Sequence, residues 1–196
     1  MSASLRINEA APGTSFRVMP RRIAVVRALL ALLWAGAVAL AVGDDVPTTD
    51  TDLPTTAALF LASYPLIDVI ASLLGSTFAD ARVLRINAAV SSLAVVGISI
   101  AAFGSDAGAT LIAFGAWAVV SGAIQLGIAI HRRRAEGRQL PMVISGGVSM
   151  IAGLSFIAAS GDSKAHLVTL AGYMAVGAVL YLLWARRSQA DPQPAK

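Results

Sequence analysis

Thr56-Ala-Ala-Leu-Phe-Leu-Ala-Ser-Tyr64-Pro65-Leu-Ile-Asp68-Val-Ile-Ala-Ser-Leu-Leu-Gly-Ser76 is an apolar run of roughly 20 residues, the length of helix that crosses about 30 Å of hydrocarbon. A barrel strand needs about half that length and alternates its faces, which this run does not. In lipid the backbone must satisfy its own hydrogen bonds, and a helix is the form left to it. Near the centre stands a lone acid, Asp68. An ionised carboxyl at that depth costs at least about 3 kcal/mol unless a partner meets it, so Asp68 marks the first place to look for function.

Outward from this run, five more of similar length follow the same composition: residues 23–42, 83–103, 107–130, 140–159 and 166–184. The chain is 57% hydrophobic and only 13% charged, with a mean hydropathy of +0.74. A soluble domain of 196 residues cannot bury that much apolar side chain, so the bilayer must act as solvent. The fold class expected is all-α, a polytopic transmembrane bundle of six helices. It is flanked by a polar segment over 1–20 and a tail over 188–196, with the membrane domain over 21–187.

The net charge of +4 does not imply nucleic acid, because the basic residues sit in short clusters between apolar runs. Fourteen of the fifteen fall in alternate loops or beside them: Arg6, Arg17, Arg21, Arg22 and Arg27, then Arg82 and Arg85, then Arg132, Arg133, Arg134 and Arg138, then Arg186, Arg187 and Lys196. The other loops hold Lys164 against Asp44, Asp45, Asp50, Asp52, Asp106 and Asp162. This asymmetry places both termini in the cytoplasm. Trp184 beside Arg186 reads as an interfacial anchor on that side. A rival reading takes 28–42 as a signal-like core with Ala39-Leu-Ala41 as its cleavage site. The Arg-bearing lead-in of about 27 residues is long for a signal n-region, which favours a retained helix.

A shift of 56 residues superposes 82–129 on 138–185, matching Arg82 with Arg138, Gly97 with Gly153, Ser99 with Ser155 and Asp106 with Asp162. Three hairpins, about 22–77, 82–131 and 138–186, are therefore expected as parallel repeats about an axis along the membrane normal, with Tyr64, Trp117 and Tyr173 as equivalent aromatics. Small residues at four-residue spacing, Ala31, Ala35 and Ala39, and Ser145, Ser149 and Gly153, read as packing seams, as does Gly122. Helices in lipid gain nothing hydrophobic by associating, so close backbone approach must hold them together. A homo-oligomer interface is the alternative reading of the same stripes.

Asp68 has three candidate partners in the inner thirds of neighbouring helices, Arg27, Arg85 and Asn87, and Tyr64 lies one turn away on the same face. Pro65 removes a backbone donor and frees the carbonyl of Leu61, which predicts a kink beside the acid. An interhelical polar clamp is the leading reading. A proton- or cation-responsive site follows it, in which protonation of Asp68 releases an arginine and changes how the second and third helices pack. An acid facing an oligomer partner comes last. Gln125 reads as a single interhelical amide, and Trp34 and Trp117 as packing residues. The chain has no cysteine, and its histidines, His131 and His166, stand apart. Neither a metal cluster nor a catalytic constellation is legible, so no cofactor and no enzymatic activity are expected.

The hairpin repeat, the stretch Phe114-Gly-Ala-Trp117-Ala-Val-Val-Ser-Gly122-Ala-Ile-Gln-Leu, the basic turn 131–138 and Leu140-Pro141-Met-Val-Ile-Ser-Gly146-Gly147-Val-Ser-Met-Ile-Ala-Gly153 together resemble the HdeD-like membrane proteins. The resemblance runs over about 59–187. It implies a six-helix protein of a bacterial-type plasma membrane, associated through its founding member with acid-stress resistance, with no established catalytic residues to carry over. The polar N-terminus, the acidic first outer loop and the Tyr64-Pro65 to Asp68 element depart from the pattern. A small proton- or cation-coupled transporter using Asp68 and a membrane scaffold for partner proteins remain as alternatives; the bilayer is the one partner implied, and no solute is specified.

Overall fold

A computed structural model describes residues 21–42, 50–77, 81–136, 140–163 and 166–187. The two terminal segments, 1–20 and 188–196, lie outside the described residues. Among the described residues, six helices make up the fold: α1 (Arg21–Val42), α2 (Thr55–Gly75), α3 (Ala81–Gly104), α4 (Ala107–Glu136), α5 (Leu140–Ala159) and α6 (Val168–Arg187). All six are long and apolar enough to cross a membrane, so the chain is an integral, multi-pass membrane protein.

Short connections between helices of this length force neighbours to run antiparallel. Around the bundle the helices follow chain order, and α6 closes back on α1. Contact is most extensive between α4 and α5, α2 and α3, and α1 and α6, and thinner within α1–α2, α3–α4 and α5–α6. One end of the bundle carries the exposed Arg21, Arg22, Arg82, Arg85 and Arg186, and is called the basic end below; the other carries Asp50, Asp52, Asp106 and Asp162.

What turns α1 toward the bundle axis is size, not polarity. Along α1 the buried row is Ala24, Ala28, Ala31, Ala35, Val38 and Val42, whereas Leu33 is 63% and Leu40 86% exposed. Lipid accepts leucine as readily as a core does, so small residues go where backbones must approach and large ones face the chains. In the half away from the basic end this yields a dry core in which Val38, Leu61, Ile98, Leu111, Leu167 and Leu170 are fully buried.

Two boundaries differ from those expected. Helix α4 continues to Glu136, six residues past the expected end, so most of the basic stretch after Ile130 is helical rather than a turn. Once past the hydrocarbon, a run of good helix formers has no reason to stop at the interface. Trp184 is not an exposed anchor: it is 6% exposed and packs in a small cluster with Ala24, Ala129, Met142 and Ala185 at the basic end.

At the opposite end, Asp106 caps α4. Its Oδ1 accepts from the Ala109 backbone N–H at 2.6 Å, while the Ala107 N–H donates to the Thr51 carbonyl and ties this turn to the α1–α2 connection. Asp106→Ala is expected to cost about 1 kcal/mol, seen as a lower thermal midpoint in detergent, whereas Asp106→Ser keeps the cap and stays within a few tenths of wild type. Equal midpoints for the two variants would remove the capping role.

Candidate functional site

Tyr64, Asp68 and Ser72 follow one another at four-residue spacing on α2, and Asn87 and Ser91 do the same on α3, so each helix presents one polar ridge. The two ridges meet. Asp68 Oδ2 accepts from Asn87 Nδ2 at 2.7 Å and from Ser91 Oγ at 2.8 Å. Asn87 Nδ2 also donates to Ser72 Oγ at 2.9 Å, and Trp117 Nε1 on α4 donates to Ser91 Oγ at 3.0 Å. Each hydrogen of the Asn87 amide thus has its own acceptor, and the Ser91 hydroxyl both donates and accepts.

The other carboxylate oxygen, Oδ1, is paired with Arg27 Nη2 of α1 at 2.5 Å. The Arg27 guanidinium lies 4.1 Å from the centroid of the Tyr181 ring on α6, a cation–π contact, and Tyr181 Oη donates to Gln125 Oε1 on α4 over a long 3.5 Å. Among the described residues no buried side-chain nitrogen or oxygen lacks a partner. A buried ion pair holds only when the groups around it are hydrogen-bonded as well, and on the carboxylate side Asn87 and Ser91 meet that need.

Of the three arginine and asparagine candidates, Arg27 and Asn87 meet the carboxylate and Arg85 does not. Arg85 is exposed. It precedes Asn87 by two residues, which is about 200° around a helix, so the two cannot both face Asp68. Arg85 is therefore removed from the intramembrane site, and the arginine that a change at Asp68 would release holds α1 to α2, not α2 to α3. Tyr64 is one turn from Asp68, but its ring belongs to an aromatic layer, stacked on Phe114 at 5.9 Å and edge-on to Trp117 at 5.7 Å. Pro65 is buried, and α2 runs on through it.

Around the pair lies a chamber of about 100 Å³ with an adjoining lobe of about 40 Å³, which share Arg27, Asp68, Ser121, Gln125 and Tyr181 as walls. That is room for several water molecules or a solute of a few heavy atoms. Every helix contributes at least one polar group: Arg27 from α1, Asp68 from α2, Asn87 from α3, Gln125 from α4, Ser149 from α5 and Tyr181 from α6. The larger lobe is lined entirely from the basic halves of the helices, down to Met142 and Trp184. Toward the other end the aromatic layer closes it. Tyr64, Phe114, Trp117, Phe156 and Tyr173 touch with ring centroids 5.3 to 6.3 Å apart, and Tyr173 Oη is 3.1 Å from Ser149 Oγ.

The packing residues read from the sequence fall elsewhere. Gly122 and Gly153 lie at the α4–α5 contact, Ser149 stands between that contact and the smaller lobe, and Ala35 is in the dry core. Sequence reading left out Ser72, Ser91 and Tyr181. The two serines carried a usable signal, the four-residue spacing from Asp68 and Asn87; Tyr181 carried none. No family model, curated protein or solved structure matches the chain.

Proposed function

We propose that this is a non-enzymatic membrane protein that binds a small polar solute in the six-helix chamber, entering from the basic end. One observation carries the reading: between them, two adjoining intramembrane lobes with Arg27, Asp68, Ser121, Gln125 and Tyr181 as common walls receive polar side chains from all six helices. A clamp between α1, α2 and α3 would need only Arg27, Asp68, Asn87 and their serines. Gln125, Ser121, Ser145 and Ser149 stand outside that set, and polar groups at membrane depth are expensive unless they serve something. The non-enzymatic reading draws support from Arg27, Asn87 and Ser91, which all engage the oxygens of Asp68.

The basic end would face the cytoplasm by the positive-inside rule, which makes the chamber cytoplasm-facing and the aromatic layer its outer barrier. Transport would require that layer to part; binding does not. The HdeD-like resemblance suggests the setting, a plasma-membrane protein with a part in envelope or acid stress. The repeat reading draws support from the alternating contacts around the ring and from the register-equivalent aromatics Trp117 and Tyr173, each of which meets a serine of its hairpin partner, Ser91 and Ser149, although the two serines are themselves two positions out of register.

Because the chain has no cysteine, single cysteines report directly. In proteoliposomes, Ser121→Cys is expected to react with a membrane-impermeant thiol reagent supplied at the basic end and to resist it from the other. Ile98→Cys, in the dry core, is expected to resist from both sides. A Ser121→Cys variant that is inert from both sides, or labelled from the acidic end, removes the chamber reading.

A further inference from the structure

A third cavity lies outside the chamber. Between the basic halves of α1 and α2, on the outer surface of the bundle, runs a crevice of about 220 Å³ with an almost wholly apolar lining. Val26 and Leu30 form one wall and Ile70 and Leu74 the other, four residues apart on each helix. Val26 is 55% and Ile70 57% exposed, so the crevice faces lipid and not the bundle axis. Helices α1 and α2 share the dry core through Ala35, Val38, Ala57, Ala58 and Leu61 in the opposite half, and in their basic halves Arg27 and Asp68 join them behind the crevice.

Charge is confined to one end. The exposed Arg22 lines the mouth, one residue into α1, and Arg27 closes the floor with its charge already committed to Asp68. From Arg22 to Leu30 the crevice spans eight residues, about 12 Å along the membrane normal. A slot with a hydrated cation at its mouth and hydrocarbon walls below has the polarity of an acyl chain beneath an anionic head group and covers most of the roughly 15 Å depth of one leaflet. A free phosphate would leave the slot unfilled. A helix from a second copy would trap the Arg22 guanidinium against hydrocarbon without a counter-charge.

We propose that this crevice holds one acyl chain of an anionic phospholipid from the leaflet at the basic end, with its phosphate on Arg22. This goes beyond the chamber reading and does not depend on it. The test is native mass spectrometry of the detergent-purified full chain with equal amounts of dioleoylphosphatidylglycerol and dioleoylphosphatidylcholine. Wild type is expected to retain the anionic lipid about fivefold over the zwitterionic one, the preference one arginine confers near a head group. Arg22→Gln is expected to bring the two to parity, while Arg85→Gln, at the same end but outside the crevice, keeps the preference.

Val26→Phe with Ile70→Phe fills the slot and is expected to lose the first bound lipid of either kind. Ile70→Phe alone serves if the pair does not fold, as judged by its thermal midpoint. Equal retention of both lipids by wild type, an undiminished preference in Arg22→Gln, a filled slot that still retains lipid, or displacement of the lipid by inorganic phosphate would each overturn the assignment. Labelling of Ser121→Cys is expected to be unaffected by Arg22→Gln, so failure here and failure of the chamber reading are distinguishable.

Discussion

Arg27→Ala is expected to destabilise the protein by about 3–5 kcal/mol, more than any other single change in the polar site. The cost comes from the carboxylate left behind. Asp68 is short, lies seven residues from the end of α2 and has a side chain only 7% exposed, so it cannot swing out to bulk solvent and has only the confined chamber to meet its charge. Asn87 and Ser91 would still donate to it, but neither supplies charge. The reverse change, Asp68→Ala, is expected to cost less, because Arg27 starts six residues from the end of α1, is 22% exposed and can extend its long stem toward the interface. The double variant Arg27→Met with Asp68→Leu removes both charges and is expected to recover most of the loss. Unfolding free energies in mixed micelles give the double-mutant cycle directly. Single variants within about 0.5 kcal/mol of wild type would show that the pair contributes nothing to stability and would return Asp68 to the other readings.

The same asymmetry shows what the sequence could disclose about the site. That a partner must exist for Asp68 followed from the cost of a charge in hydrocarbon, and Asn87 followed from its depth. Choosing Arg27 over Arg85 needed the rotation of α3, and the composition of an apolar helix does not reveal rotation. In a soluble protein the polar face would mark it, but here both faces are greasy: the exposed Leu93 and Ile100 on α3 are as apolar as the buried Ile98 between them. Size is the signal that survives, and it reads clearly only where alanines and glycines are dense, as in α1 and α5. The six spans were legible because length and composition suffice for them. The aromatic layer was half legible: Trp117 and Tyr173 are matched by the 56-residue shift and Tyr64 is their expected counterpart in the more weakly similar first hairpin, whereas Phe114 and Phe156 join them only because of how α4 and α5 face the bundle axis. Trp184 misled because a tryptophan near arginines at a helix end looks the same whether it faces headgroups or a neighbouring helix.

Where size does decide, Gly153→Ala is expected to cost about 1–3 kcal/mol and Gly153→Leu the top of that range or beyond. Helices α4 and α5 approach so closely that a Cβ on Gly153 would fall 2.5 Å from the Gly115 carbonyl oxygen and 2.8 Å from the Val119 nitrogen, and one on Gly115 would fall 2.6 Å from the Gly153 oxygen. One heptad along, Gly122 and Gly146 repeat the arrangement: a Cβ on Gly146 would lie 2.7 Å from the Leu126 nitrogen and 2.8 Å from the Gly122 oxygen. The obstructing atoms are backbone on both sides, so no rotamer change relieves them and the helices themselves must separate. Separation would forfeit the dispersion contacts that hold helices together in lipid. Gly97 supplies the control. It holds the position that the 56-residue register matches to Gly153, yet nothing lies within 4 Å of a Cβ built there. Gly97→Ala is therefore expected to be neutral or to stabilise by about 0.5–1 kcal/mol through helix propensity. Thermal midpoints of Gly153→Ala and Gly97→Ala in one detergent make the comparison, and a matching fall in both would mean that glycine acts here through the helix itself and not through the α4–α5 seam.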